Sequence, residues 1–159
     1  MAAPPSPPAD HAELLNSSPE GWLEAMGVRF LKATGDEVIA EWEVDRRHHQ
    51  AYGIVHGGVH CGVIETVASV GAALHALSRG QSVVGLENHT TFLRAVRAGR
   101  LRAVGTPIAR GRRTQVWEGN VHDPEGRLVA SGRVRLLCLE PGSELGGRRV
   151  TLPGLGGSG

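Results

Sequence analysis

A single glutamate stands in the middle of a long apolar run, Val59 to Leu77 (VHCGVIETVASVGAALHAL), and is the first residue of this chain that could do chemistry. As a helix, 19 residues span about 28 Å, and the near-continuous apolar circumference leaves Glu65 no evident solvated face. Burying a lone carboxylate is costly unless it is paired or protonated, so two roles fit: a working acid or base, and a structural salt bridge or subunit contact. Ser69, four residues on, shares that helical face and could bond to the carboxylate or to whatever it attacks. It could equally bond back to the preceding turn.

His56-Gly57-Gly58 stands where a polar loop meets this run. Two glycines leave backbone N–H groups uncovered at the positive end of a helix, a ready site for an oxyanion or a polarised carbonyl; an ordinary glycine-containing helix start reads the same way. Gln50 and His56 are polar side chains of that loop able to orient a carbonyl, whereas His48 and His49 are expected to face solvent. His48, His49, His56 and His60 lack a partnered carboxylate pattern, and neither Ser69 nor Cys61 sits in a nucleophile elbow, so neither zinc nor a nucleophile triad is expected. From Arg94 to Arg113 there are seven arginines and no acid, and Arg110, Arg112 and Arg113 flank Gly111 in a hairpin turn. That geometry suits bidentate phosphate contact as well as a plain solvated turn. An uncovered amide, a half-buried carboxylate and an arginine-lined turn together describe a site for a phosphorylated carrier whose acyl carbonyl is attacked. Coenzyme A thioesters match that description.

Several elements must position these groups. Residues 1–18, rich in Pro, Ala, Ser and Asp, are expected to form a flexible arm, and residues 142–159, with seven Gly, a disordered tail, leaving 19–141 as the folding unit. Ser18-Pro19-Glu20 reads as a helix start, with a short helix through Trp22, Leu23 and Met26 that Gly27 ends. Residues 28–35 and 37–44 alternate as a hairpin around Gly35-Asp36, and four strand-like stretches at 82–93, 100–109, 113–123 and 127–139 follow the long helix as a meander. The order predicts an α+β domain with a curved antiparallel sheet wrapped around one buried helix; no dinucleotide or P-loop fingerprint is present.

Composition bounds the partners. Seventeen bases against 16 acids argue against a general nucleic-acid binder. Cys61 and Cys138 lie in apolar stretches without metal-ligand spacing and read as buried hydrophobes, a usage that suits a reducing compartment. The N-terminus lacks a secretory-type pattern and no segment approaches 18 uninterrupted apolar residues, so a soluble cytoplasmic protein with no membrane partner is the expectation.

The segments GIVHGGVHCGVIETVASVGA (53–72), VVGLENHTTFLRAVRAGRLRAVGTPIARGRRTQVWE (83–118) and VHDPEGRLVASGRVRLL (121–137) resemble the hotdog-fold acyl-CoA thioesterases. The likeness is to the phenylacetate-degradation and Arthrobacter-type 4-hydroxybenzoyl-CoA group, near the enterobactin proofreading and dihydroxynaphthoyl-CoA enzymes. The resemblance implies hydrolysis of an acyl-CoA, in its aroyl-CoA branch, with no cofactor beyond the coenzyme A of the substrate. It implies that Gln50 and His56 place the thioester, that the Gly57 amide, beside Gly58, polarises its carbonyl, and that Glu65 and Ser69 act on or hold the attacking water. By the same likeness, Arg110, Gly111, Arg112, Arg113 and Thr114 meet the CoA phosphates, and His89, Thr90 and Thr91 line the acyl pocket. Sites shared between two subunits are implied, with Glu65 opposite the loop, in a homodimer and, from the relatives, a tetramer of two dimers. The strand reads ENHTT where the family often has EINAN or EISIN. Two rivals remain: a hotdog hydratase or dehydratase of enoyl thioesters, and a non-catalytic acyl-CoA-binding protein.

Overall fold

The computed structural model describes residues 9–19 and 21–150. Helix α1 (Ala12–Ser17) and helix α2 (Trp22–Met26) precede strands β1 (Arg29–Ala33) and β2 (Val38–Val44), which pair as the expected hairpin. A short 3-10 turn leads into α3 (Gly57–Ala76), followed by β3 (Ser82–Phe92), β4 (Gly99–Arg110), β5 (Thr114–His122) and β6 (Leu128–Leu139). A small hairpin, β7 (Glu144–Leu145) with β8 (Arg148–Arg149), closes the described chain.

The six long strands form one antiparallel sheet in the order β1-β2-β4-β5-β6-β3. Only β4, β5 and β6 form a meander; β3 pairs with β6 at the far edge instead of with β4, because α3 carries the chain from beside β2 across the sheet. Alternation decides which side chains face α3. Val38, Ala40, Trp42 and Val44 of β2 are buried, as are Leu101 and Ala103 of β4 and Val134 and Leu136 of β6. Gly105 and Gly119 oppose each other across β4 and β5, and a Cβ on either would come within 2.9 Å of Val67 or Ile64. Those two glycines let α3 lie close against the sheet, so part of the glycine content has a packing function. The stretch Gly57–Arg79 is long and apolar enough to cross a membrane, but α3 lies along the sheet and touches all six of its strands.

The chain ends depart from expectation. The segment expected as a flexible arm carries α1, tied to the sheet by polar side chains: Asp10 Oδ1 accepts from the Ala12 and Ala33 amides at 3.0 and 2.9 Å, and Asn16 exchanges bonds of 2.8 and 2.9 Å with the Phe30 backbone. These side chains satisfy groups that edge strand β1 would otherwise leave open. The two amides also hold the Asp10 carboxyl below its usual range. Residues 1–8 lie outside the described residues. α2 starts at Trp22, not at Pro19; Gly21 precedes it without a side-chain cap, and Gly27 ends it at φ 64°, as expected. Residues 142–150, expected as disordered tail, include the β7–β8 hairpin, closed by the Val150 amide bonding to the Ser143 carbonyl. Residues 151–159 lie outside the described residues.

Candidate active site along the central helix

The loop before α3 is held by its own polar groups. His48, expected at the surface, is 1 % exposed: its Nδ1 accepts from the Asp45 amide at 3.0 Å and its Nε2 lies 2.9 Å from the Met26 carbonyl. His49 Nε2 contacts the Arg97 carbonyl, and Arg97 Nη1 donates to the Tyr52 and Gly53 carbonyls. Gln50 Oε1 accepts from the Tyr52 amide at 2.8 Å. His56 then caps α3, its Nδ1 accepting from the Gly58 amide at 2.8 Å. The cap uses one of the two uncovered amides that the sequence suggested. The Gly57 N–H, at the first helical position, has no acceptor among the described residues. A Cβ on Gly57 would come within 2.6 Å of the Phe92 ring, so only glycine lets that ring pack against the start of α3. A cavity of about 320 Å3 opens here, lined by Gln50, Gly57, His60, Phe92 and Leu93 among others. Burial pushes the His60 imidazole down to about 4, which keeps it neutral.

Two turns further on, Glu65 is exposed. The expectation of a helix buried all round fails because the sheet covers one side only: Val63, Ile64, Val67 and Ala68 face it, while Gly62, Glu65, Thr66, Ser69 and Val70 look outward. Those five outward residues and Trp22 line a second cavity, of about 440 Å3, so Glu65 and Ser69 do share one wall. Asn88 Nδ2 donates to Glu65 Oε2 at 3.3 Å and to the Cys61 carbonyl at 3.0 Å. Thr90 Oγ1 in turn donates to Asn88 Oδ1 at 2.7 Å. Asn88 was missed in the sequence, although it lies inside the ENHTT stretch where the family pattern breaks. Only strand pairing shows which residues of that stretch face the helix. Asn88 and Thr90 do, opposite Val134 and Gly132, whereas His89 and Thr91 pair with Arg133 and Ser131 on the other face, away from Glu65.

The expected site residues fall into three places. Gly57 and Glu65 are eight residues apart on one helix, about 12 Å along its axis. The arginine turn lies beyond the other end of α3, where Gln81 Nε2 donates to the Arg112 carbonyl. Within that turn the Gly111 amide bonds to the Thr114 carbonyl, Arg110 pairs with Asp36 and donates to the Gly35 carbonyl, and Arg112 lies 3.6 Å from Glu140. Arg113 makes no ion pair among the described residues. Cys61 and Cys138 are both free thiols, and only Cys138 is fully buried. Among the described residues no group of three or more His, Cys, Asp or Glu could hold a metal ion. An amide that polarises a carbonyl and a carboxylate that attacks it, or activates water beside it, must both reach one carbon. At 12 Å separation, these two groups of one chain cannot.

Comparison with known proteins adds four findings. Residues 52–130 match the thioesterase superfamily. The chain is 36 % identical to the proofreading thioesterase EntH of Cronobacter turicensis over 77 % of this chain and 89 % of that protein. It is 37 % identical to the 1,4-dihydroxy-2-naphthoyl-CoA hydrolase of Escherichia coli K12 over 80 % and 93 %. The solved structure of Rv1847/MT1895 from Mycobacterium tuberculosis superimposes with a TM-score of 0.74 at 39 % identity, covering 75 % of this chain and 96 % of that one.

Proposed function

The chain belongs to the thioesterase superfamily and is a thioester hydrolase, and from that premise we propose that it cleaves an acyl-CoA, within that class an aroyl-CoA, to the free acid and coenzyme A. One observation carries the site assignment: α3 bears an acceptor-free amide at Gly57 and a hydrogen-bonded carboxylate at Glu65, too far apart to meet in one protomer. A second copy, related by a two-fold axis, supplies the missing half. Edge strand β1 is closed by Asp10 and Asn16, whereas β3 lies at the other edge with Leu86, Phe92 and Leu93 exposed along and just after it. Pairing β3 with its copy sets the two α3 helices antiparallel, with Gly57 of one protomer toward Glu65 of the other. The assembly is then a homodimer with two shared sites, and the likeness to relatives extends it to a dimer of dimers.

In this arrangement the thioester carbonyl accepts from Gly57 N–H, with Gln50 and His56 orienting it. Glu65 of the other protomer either takes a proton from water as it attacks or attacks directly to form an anhydride that water then opens. Either way the C–S bond breaks, the thiol leaves with a proton, and the acid is released. Asn88 positions the Glu65 carboxylate and Ser69 holds the water or substrate beside it. Arg113 is the cation of the turn best placed for the CoA phosphates, since Arg110 is occupied by Asp36 and Arg112 by Glu140. Free cysteines suit the cytoplasm.

Thiol release from a panel of phenylacetyl-, hydroxybenzoyl-, dihydroxynaphthoyl- and medium-chain acyl-CoA esters tests the reaction. Glu65→Gln should lower the rate by about 10²- to 10⁴-fold with the fold intact. Hydrolysis left nearly unchanged overturns the role of Glu65; saturable binding without thiol release overturns the activity.

A further inference from the structure

The loop that places the thioester displays one side chain for which the reaction above has no use. Tyr52, the only tyrosine of the chain, is 80 % exposed, the most of any large hydrophobic among the described residues. Its backbone is nevertheless held on every side. The Tyr52 amide donates to Gln50 Oε1 at 2.8 Å, the Tyr52 carbonyl accepts from Arg97 Nη1 at 2.8 Å, and the Gln50 amide bonds to the Ile54 carbonyl at 2.9 Å. Gly53 turns the chain just beyond it at φ 69°, where glycine is favoured, and its amide bonds back to the Gln50 carbonyl. Gln50, Ile54 and Val55 line the cavity at Gly57, whereas the Tyr52 ring points away from its own chain. A pinned turn loses little further entropy when its ring is buried, and aromatic anchors of this kind are typical of interfaces.

The cavity beside Glu65 has the complementary character. Trp22 lies on Gly62, where a Cβ would come within 2.5 Å of its ring, and it is 40 % exposed while Trp42 and Trp117 are buried. Trp22 and Glu65 line the 440 Å3 cavity and both are exposed, so in one protomer that cavity stands open. Asn88 of edge strand β3 bonds to Glu65, which puts the carboxylate on the side of α3 where a copy paired through β3 approaches. The two-fold arrangement brings the partner's Gly57 to this side, and Tyr52 precedes Gly57 by five residues in the same pinned loop. We propose that Tyr52 acts across the two-fold interface: its ring closes the partner's Glu65 cavity opposite the partner's Trp22, and the acyl group is held between the two rings, one from each chain. The proposal rests on the hydrolase reading and its shared site, and deepens both. Gln50 joins the two tasks of the loop, because its Oε1 is taken by the Tyr52 amide and its Nε2 hydrogens are left for the thioester carbonyl. One turn thus sets both the aromatic wall and the carbonyl donor.

Kinetics on whichever ester of the panel above is cleaved fastest test this. Tyr52→Ala should raise KM by about tenfold, as loss of a buried aromatic wall implies, while Ki for free coenzyme A, which has no acyl group, stays within about twofold. Tyr52→Phe, which keeps the ring, should stay near wild type. Co-expressing Tyr52→Ala with Glu65→Gln tests the placement across the interface. In a mixed pair one site carries both changes and the other neither. At substrate well below KM the mixture should therefore regain about a quarter of the wild-type rate, since half the pairs are mixed and each holds one intact site. If Tyr52 served its own chain's Glu65, no intact site would form, and the mixture would show about half the rate of Tyr52→Ala alone. An unchanged KM in Tyr52→Ala, an equal rise in Ki for coenzyme A, or a mixture without rescue overturns the role of Tyr52 and leaves the hydrolase reading standing. Thiol release from no ester of the panel overturns both, and full activity in Glu65→Gln overturns the shared site and the role of Tyr52 with it. Should Tyr52→Ala be monomeric by light scattering, the co-expressed mixture decides the matter, because each mixed pair keeps one Tyr52.

Discussion

Removing the amide of Asn88 isolates the contact that orients Glu65. The side chain of Asn88 gives one bond to the carboxylate, at 3.3 Å, and is itself held by Thr90 at 2.7 Å. A hydrogen bond to a charged group contributes about 1.5–3 kcal/mol. Charge-assisted N–H···O bonds of full strength are nearer 2.7–2.9 Å, so the lower end applies, about 1.5 kcal/mol. If the bond fixes the carboxylate for attack, Asn88→Ala loses that amount in the transition state, about tenfold in kcat. KM should stay within about twofold, since Asn88 touches the carboxylate and not the ester. The second bond of Asn88 goes to the Cys61 carbonyl, which sits inside α3 and keeps the acceptor role the helix gives it, so the fold should survive. Asn88→Asp sets a second negative charge against Glu65 and should cost well over tenfold. Steady-state thiol release with thermal melts of each variant separates catalysis from stability. Asn88→Ala with wild-type kcat and Tm, or Asn88→Asp as active as Asn88→Ala, would refute the positioning role.

Other outcomes follow from packing, titration and assembly. Gly71→Ala gains about 1 kcal/mol of helix propensity, yet its Cβ would overlap the buried ring of Trp117, which is tied through Gln115 to the Ala72 carbonyl. Overpacking of about 1–3 kcal/mol should win and lower Tm by several degrees; a raised Tm contradicts it. Unfolded His60 binds a proton below its ordinary value near 6.5, while the folded ring resists until about pH 4, so stability is full above pH 6.5 and declines as pH falls toward 4. Between pH 7 and 5 the loss is about 2 kcal/mol, and urea midpoints should drop more in wild type than in His60→Phe; equal slopes contradict it. Light scattering at micromolar concentration should report a dimer or tetramer, and a monomer contradicts the shared site.

Much of the fold was legible because its elements obey simple periodicities. Alternation gave β1 and β2, and an apolar run interrupted only by His60, Glu65, Thr66, Ser69 and His75 gave α3 to within two residues. Two misreadings share a cause. α1 was missed because Asp10 and Asn16 bind backbone groups of β1, which no apolar pattern records. His48 was placed at the surface because its partners, Asp45 and the distant Met26 carbonyl, meet only in the folded chain. The glycine pair that opens α3 was recognised, but the cap by His56, which leaves Gly57 as the available amide, needed side-chain geometry.

By itself, the sequence determined the types of the groups and their order along the chain: an amide exposed by glycine, a carboxylate eight residues later, an arginine turn further on. These follow from local rules, since helix starts, turns and periodic burial depend on near neighbours. Only the tertiary structure decided which side of each strand faces the helix, and so that Asn88 rather than His89 meets Glu65. The 12 Å between amide and carboxylate, by contrast, follows from helical rise alone once Gly57 and Glu65 share α3, and it keeps the two groups of one chain from meeting at one carbon.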